Sequence, residues 1–189
     1  MSFFIKIIYL FLLSVLTIQC AKKDQFLIEK GKVGQLNKET KIKDLSTVFS
    51  KDSIVANLYA DKEIDKRLFT VENDVYLIYA KKGKLLLEIV PTNLNDKSSG
   101  IKSIQIFDNS YKTSKGISLQ STFKDIIAHY KVNKVETTLT SATLFIDELN
   151  ATISIDKKEL ALNSFSRAEV ALDQIPDVAK IKYFTIWFN

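Results

Sequence analysis

The sequence predicts an α+β domain: a predominantly antiparallel sheet with two short helices, arranged as a tandem β-helix-β-β repeat. Three observations carry this. Short segments rich in β-branched residues follow one another, parted by turn residues. Two segments place their apolar residues at helical spacing instead. Those two segments also resemble each other.

In chain order, Thr40 is the expected N-cap of the first helix, with Ile42, Leu45 and Phe49 as its apolar stripe. Val75 to Ala80 is apolar on both faces, as a central strand would be. Leu85 to Val90 follows across Lys81-Lys82-Gly83-Lys84, which reads as a hairpin turn. Ile101, Ile104 and Ile106 mark a strand ahead of the polar loop Asp108 to Lys115. Thr122 with Asp125 forms a capping box for the second helix, whose Phe123, Ile126, Ile127 and Tyr130 make one stripe. Val135 to Leu139, Thr143 to Ile146 and Thr152 to Ile155 read as short strands. Ile181 to Phe188 alternates Phe184, Ile186 and Phe188 against Tyr183, Thr185 and Trp187, so this last strand is expected to be tied into the sheet.

The repeat rests on residue-by-residue agreement. Thr40-Lys41-Ile42-Lys43-Asp44-Leu45 aligns with Ser121-Thr122-Phe123-Lys124-Asp125-Ile126. Without a gap, Phe49 then matches Tyr130 and Ile54 matches Val135. Gly34 and Gly116 lie just upstream, out of step by one residue. The alternative is two unrelated helices that share good capping chemistry.

Composition limits the function classes. Hydrophobic residues make up 46% and charged residues 26%, with 5 glycines and 2 prolines, which describes a folded chain without a long linker. Of 27 basic residues only Arg67 and Arg167 are arginine, and the lysines are dispersed among acids. A nucleic-acid surface would gather them, with interleaved aromatics, so no nucleic-acid partner is expected.

The N-terminus has Lys6, then an uncharged stretch from Ile7 to Ile18, then Gln19-Cys20-Ala21-Lys22-Lys23-Asp24. A basic start, an apolar run and an abrupt polar switch form a secretory signal. Its 12 residues span roughly 18 Å as a helix, against about 30 Å for a bilayer core. Cys20, the only cysteine, sits where cleavage falls, and Leu16-Thr17-Ile18-Gln19-Cys20 resembles the relaxed lipobox of the Bacteroidota. Lipidation would use up a thiol that has no disulfide partner, and two or more acyl chains anchor stably. The expected organisation is therefore a signal peptide over residues 1–19, a lipidated Cys20 with a tether over 20–30, and one α+β domain over 31–189. The expected location is the cell envelope, on the outer membrane, facing the periplasm or the surface. The alternative is a soluble secreted protein with a stray thiol. Asp52-Ser53-Ile54 looks like the three-residue O-glycosylation signal of the same phylum.

The stretch Gly100-Ile-Lys-Ser-Ile104-Gln-Ile106-Phe-Asp108, then Gly116-Ile117-Ser-Leu119-Gln-Ser121-Thr122-Phe123-Lys-Asp125-Ile126, carries a family resemblance. It is similar to the small stress-regulated outer-membrane lipoproteins of unknown function in Gram-negative bacteria. Val33-Gly34 leading to Thr40 resembles their domain start, and Ile181-Lys-Tyr183-Phe184 their final strand. The cysteines that some members carry near the C-terminus are absent. The resemblance implies an envelope role and carries over no catalytic residue.

Candidate chemistry is sparse. His129 is the only histidine and lies at the margin of the second helix stripe, and no G-x-S-x-G elbow accompanies it. Clustered metal ligands, a P-loop and a dinucleotide fingerprint are missing, so neither a metal nor a cofactor is expected. Asp147 with Glu148, and Asp61 with Glu63, read as solvated turn acids. The candidate binding loop runs from Asn109 to Gly116, with Tyr111, Thr113, Lys115 and Gly116 as its named residues. It feeds the second helix, whose N-terminal amides could hold an anion or a peptide carboxylate. The leading expectation is a non-catalytic lipoprotein that binds a protein or glycan partner. The alternative is a carrier with an apolar pocket lined by Phe123, Tyr130 and Trp187, and a hydrolase comes third.

Overall fold

The chain opens on three short strands, β1 (Leu27–Glu29), β2 (Lys32–Val33) and β3 (Leu36–Asn37), in a computed structural model that describes residues 24–57, 74–162 and 168–188. The signal peptide, Cys20, Asp61 and Glu63 lie outside the described residues. Leu27–Glu29, assigned above to the tether, already belongs to the folded unit. A 3-10 turn (Ile42–Asp44) leads into α1 (Leu45–Val48), and β4 (Ser53–Asn57), β5 (Val75–Tyr79), β6 (Leu85–Pro91) and β7 (Ile101–Ile106) follow. After β8 (Lys112–Thr113) come α2 (Phe123–His129), β9 (Lys134–Thr137), β10 (Ser141–Ile146), β11 (Ala151–Asp156) and β12 (Ile181–Trp187). The α+β expectation holds, with antiparallel sheet predominating.

Among the described residues eight strands form one antiparallel sheet in the order β4-β5-β6-β7-β12-β11-β10-β9. A second small sheet has the order β3-β2-β1-β8, and there β1 and β8 run parallel. Period-two alternation drives the large sheet, because it gives every strand one apolar face. One registered row crosses all eight strands: Ile54, Ile78, Leu87, Ile106, Phe184, Ile153, Leu144 and Val135. The six inner members of that row are buried, and Ile42, Leu45, Phe123 and Ile126 share the same core.

The repeat appears in the strand order, which reads identically from either edge: α1 then β4 to β7, and α2 then β9 to β12. The two units meet at β7 and β12, where Gln105 faces Thr185, Ile104 faces Ile186 and Ile106 faces Phe184. That pairing is symmetric about the Gln105–Thr185 pair. Hydrogen bonds repeat with it. Ile42 N donates to Ser99 O at 3.0 Å and Lys43 N to Lys97 O at 2.8 Å; Phe123 N donates to Ala179 O at 2.8 Å and Lys124 N to Asp177 O at 2.9 Å. Lys41 N reaches Asp44 at 2.9 Å as Thr122 N reaches Asp125 at 2.8 Å. The unit is thus a helix followed by four strands, one strand longer than the sequence pattern resolved and without a large-sheet strand before the helix.

Three further expectations change. Lys41 is the N-cap residue of the first helical turn, and the Thr40 hydroxyl instead accepts from Asn37 N at 3.0 Å. β5 is second from the edge and not central, since the longer meander places β7 and β12 in the middle. Ile127 turns outward, 44% exposed, because a helix of under two turns buries only Phe123 and Ile126.

Candidate functional site

The four loop residues named from the sequence do not act together. Thr113 is buried, pairs with Ile28 in the parallel ladder, and its hydroxyl accepts from Ile117 N at 3.2 Å. Gly116 is the left-handed residue (φ 85) of the tight turn that returns the chain, its N–H bonded to Thr113 O at 2.9 Å. Lys115 points the other way: its ammonium donates to His129 O at 2.9 Å and Glu148 at 2.7 Å, and lies 4.2 Å from the Tyr130 ring centroid. Tyr111 alone faces an open space.

The expected anion site at the start of α2 is filled from within. Thr122 and Asp125 cap each other, and the Phe123 and Lys124 amides are bonded to Ala179 and Asp177 carbonyls. No amide is left there to hold an anion. The expected carrier pocket does not assemble either. Phe123 and Tyr130 are core residues, whereas Trp187 lies on the opposite face of the sheet, its indole N–H bonded to Thr152 Oγ1 at 3.1 Å. His129 is exposed, with Nδ1 2.9 Å from Asp125 O, and among the described residues neither a serine nor a carboxylate side chain bonds its ring. Among the described residues no group of three histidine, cysteine or acidic side chains could hold a metal ion, and no helix is long and apolar enough to cross a membrane.

The space that Tyr111 faces is a half-open cleft of about 350 Å³ between the small sheet, the end of α1 and the large sheet. Phe26, Val33, Val48, Phe49 and Leu86 give it apolar walls, and Gln25, Gln35 and Lys51 stand exposed at its mouth. Tyr111 is only 3% exposed, and its ring meets that of Phe26 edge to face at 5.1 Å. Among the described residues the Tyr111 hydroxyl has no hydrogen-bond partner, and neither has the half-buried carboxylate of Asp52. Burial, and then the negative charges of Asp108 and Asp52, push the phenol above its ordinary range, so it stays neutral and available as a donor. Asp108 is different: Lys84 pairs with it at 2.6 Å and Ser110 N donates to it at 2.7 Å. Burial pulls its pKa upward, but these bonds outweigh it and hold the carboxyl below the ordinary value.

No family model matches the chain, and no curated protein matches it either. Among solved structures it is similar to the uncharacterized protein yfeY from Escherichia coli, with a TM-score of 0.52 and 11% identity over 85% of this chain and 99% of that one. The likeness is one of fold.

Sequence reading missed Phe26, Phe49 and Asp52 as neighbours of Tyr111, because they come from separate segments, Phe26 reaching Tyr111 across the parallel β1–β8 ladder and Phe49 and Asp52 entering from the turn between α1 and β4. A parallel pairing leaves no local signal in the chain. A second feature lies over α2: an apolar groove of about 470 Å³ with Phe123, Ile127, Leu172 and Ile175 in its walls and Asp173 and Asp177 beside them. Val178 next to it is 75% exposed.

Proposed function

We propose that the protein is a lipid-anchored lipoprotein of the bacterial envelope, held through Cys20, whose domain binds a partner protein without catalysing a reaction. The observation that carries this is the Tyr111 cleft. The Tyr111 hydroxyl and the half-buried Asp52 carboxylate, which among the described residues bond no other group, face an apolar-walled space and are open to a polar group of a ligand. Gln25 and Phe26 line the same cleft and stand close after Cys20 in the chain, so a domain tethered there would present its cleft near the membrane. A half-open space suits a protruding side chain better than a fully engulfed molecule. The sequence resemblance to the stress-regulated outer-membrane lipoproteins supports the same setting.

The test is photocrosslinking in intact cells from a benzoylphenylalanine placed at Gln35, on the cleft mouth, with Leu139 as a distant exposed control. Capture of one envelope protein from position 35, lost in Cys20→Ala and in Asp52→Lys, is expected. A crosslinked glycan without protein would replace the partner class. Background alone at both positions would reject the docking reading and favour the small-ligand carrier.

A further inference from the structure

The internal repeat supplies a comparison for the cleft. In the second half, Lys115 stands immediately before Gly116 and lays its ammonium over Tyr130, between the His129 carbonyl and Glu148. In the first half the residue before the matching Gly34 is Val33, and the matches of His129 and Tyr130 are Val48 and Phe49. All three of these line the cleft. A valine thus stands in the first half where the second half has a lysine.

We propose that the cleft takes a lysine side chain from the partner protein, placed as Lys115 is placed in the second half. The proposal rests on the docking reading above. Its methylenes would lie along Val33, Val48 and Leu86, and its ammonium would meet the aromatic rings and the Asp52 carboxylate. Asp52 takes the part of Glu148, and the Tyr111 hydroxyl offers its oxygen as a further acceptor. The basic groups nearby do not cancel this preference. Lys84 is committed to Asp108, and Lys51 is exposed at the mouth, where water screens it. Among the described residues the half-buried charge of the cleft without a partner is that of Asp52, and it is negative.

The probe is Nα-acetyl-lysine N-methylamide, titrated into the full lipidated chain in maltoside micelles while the methyl signals of Val33, Val48 and Leu86 are followed. The matched probe without the charge is the norleucine analogue. Binding of the lysine probe about tenfold tighter than the norleucine probe is expected, with the difference lost in Asp52→Asn. Equal binding of the two probes, or a preference that survives Asp52→Asn, overturns the proposal. Binding of neither probe overturns it too. If the Gln35 crosslink to a protein persists in that case, the docking reading stands and only the lysine assignment falls.

Discussion

Gly34 and Gly116 hold matching places in the two halves, with φ of 58 and 85, but their surroundings differ. A Cβ at Gly116 would meet nothing within 4 Å, whereas one at Gly34 would stand 2.3 Å from the Gln25 carbonyl oxygen. The left-handed conformation alone costs an alanine roughly 1–2 kcal/mol. Gly116→Ala should lose about that much stability in urea unfolding, and Gly34→Ala clearly more, because the backbone must move as well. Equal losses would mean that the first strands shift freely. Asp108 gives a second test at this scale. Burial raises its pKa, and the bonds from Lys84 and Ser110 lower it further than burial raises it, leaving it below the ordinary 3.8. A depressed pKa means that the folded state releases this proton more readily than the unfolded chain. The stability it contributes is therefore complete above pH 3.8 and is lost as pH falls through the lower, folded value. Thermal midpoints measured from about pH 6 down to 2 should show Asp108→Asn less stable than wild type at the top, with the gap closing at the bottom. A constant gap would mean that the amide disturbs packing and that charge is not the cause.

Among the elements, α2 shows what a capping box adds to a short helix. Thr122 accepts from Asp125 N and Asp125 accepts from Thr122 N, so two amides that the helix cannot serve are bonded. Thr122→Ala should cost about 1 kcal/mol in denaturant unfolding. Ile126→Ala, at a residue with no exposure, should cost about 2–5 kcal/mol, and Ile127→Ser very little. Serine at 127 would copy Ser46, its match in the first half. A large loss at Ile127 would show that the groove over α2 supports the fold. This element was legible in the sequence because its signals are local: a cap, an acid three residues on, and a stripe. Strands β5 to β7 and β9 to β12 were legible for the same reason, with β-branched alternation between turns, whereas β4 and the short strands of the small sheet were not named. The first cap was misread at Thr40 because a threonine one residue early can serve the preceding turn, as it does with Asn37. The cleft was legible only at Tyr111. Its other walls include Phe26 and Val33, which meet Tyr111 through a parallel contact between distant strands, and Phe49 from the end of α1.

At the scale of the whole molecule, the two halves join through a pairing that each could make with itself. Gln105 and Thr185 face each other at the centre of β7 and β12, and the flanking pairs put Ile104 against Ile186 and Ile106 against Phe184. If two copies of β12 paired about Thr185, Phe184 would face Ile186 of the other copy, an apolar contact of the kind β7 now provides. An isologous interface needs only such self-complementarity. The second half carries its own capped helix, and the amides at the start of that helix bond to Asp177 and Ala179 within the same half. Alone it lacks β1, the partner of the two-residue β8, and a partner for the longer β12 edge, and an unpaired apolar edge seeks one. Residues 109–189 expressed without the first half should therefore form a dimer with a continuous sheet. Sedimentation equilibrium should give twice the chain mass, and Thr185→Asp, which sets two like charges directly opposite each other at the centre of the pairing, should weaken the dimer. A folded monomer would mean that the β12 edge is covered in some other way. An unfolded chain would mean that the small sheet of the first half is needed to complete the core, since Ile28, Val33 and Leu36 enter it from there.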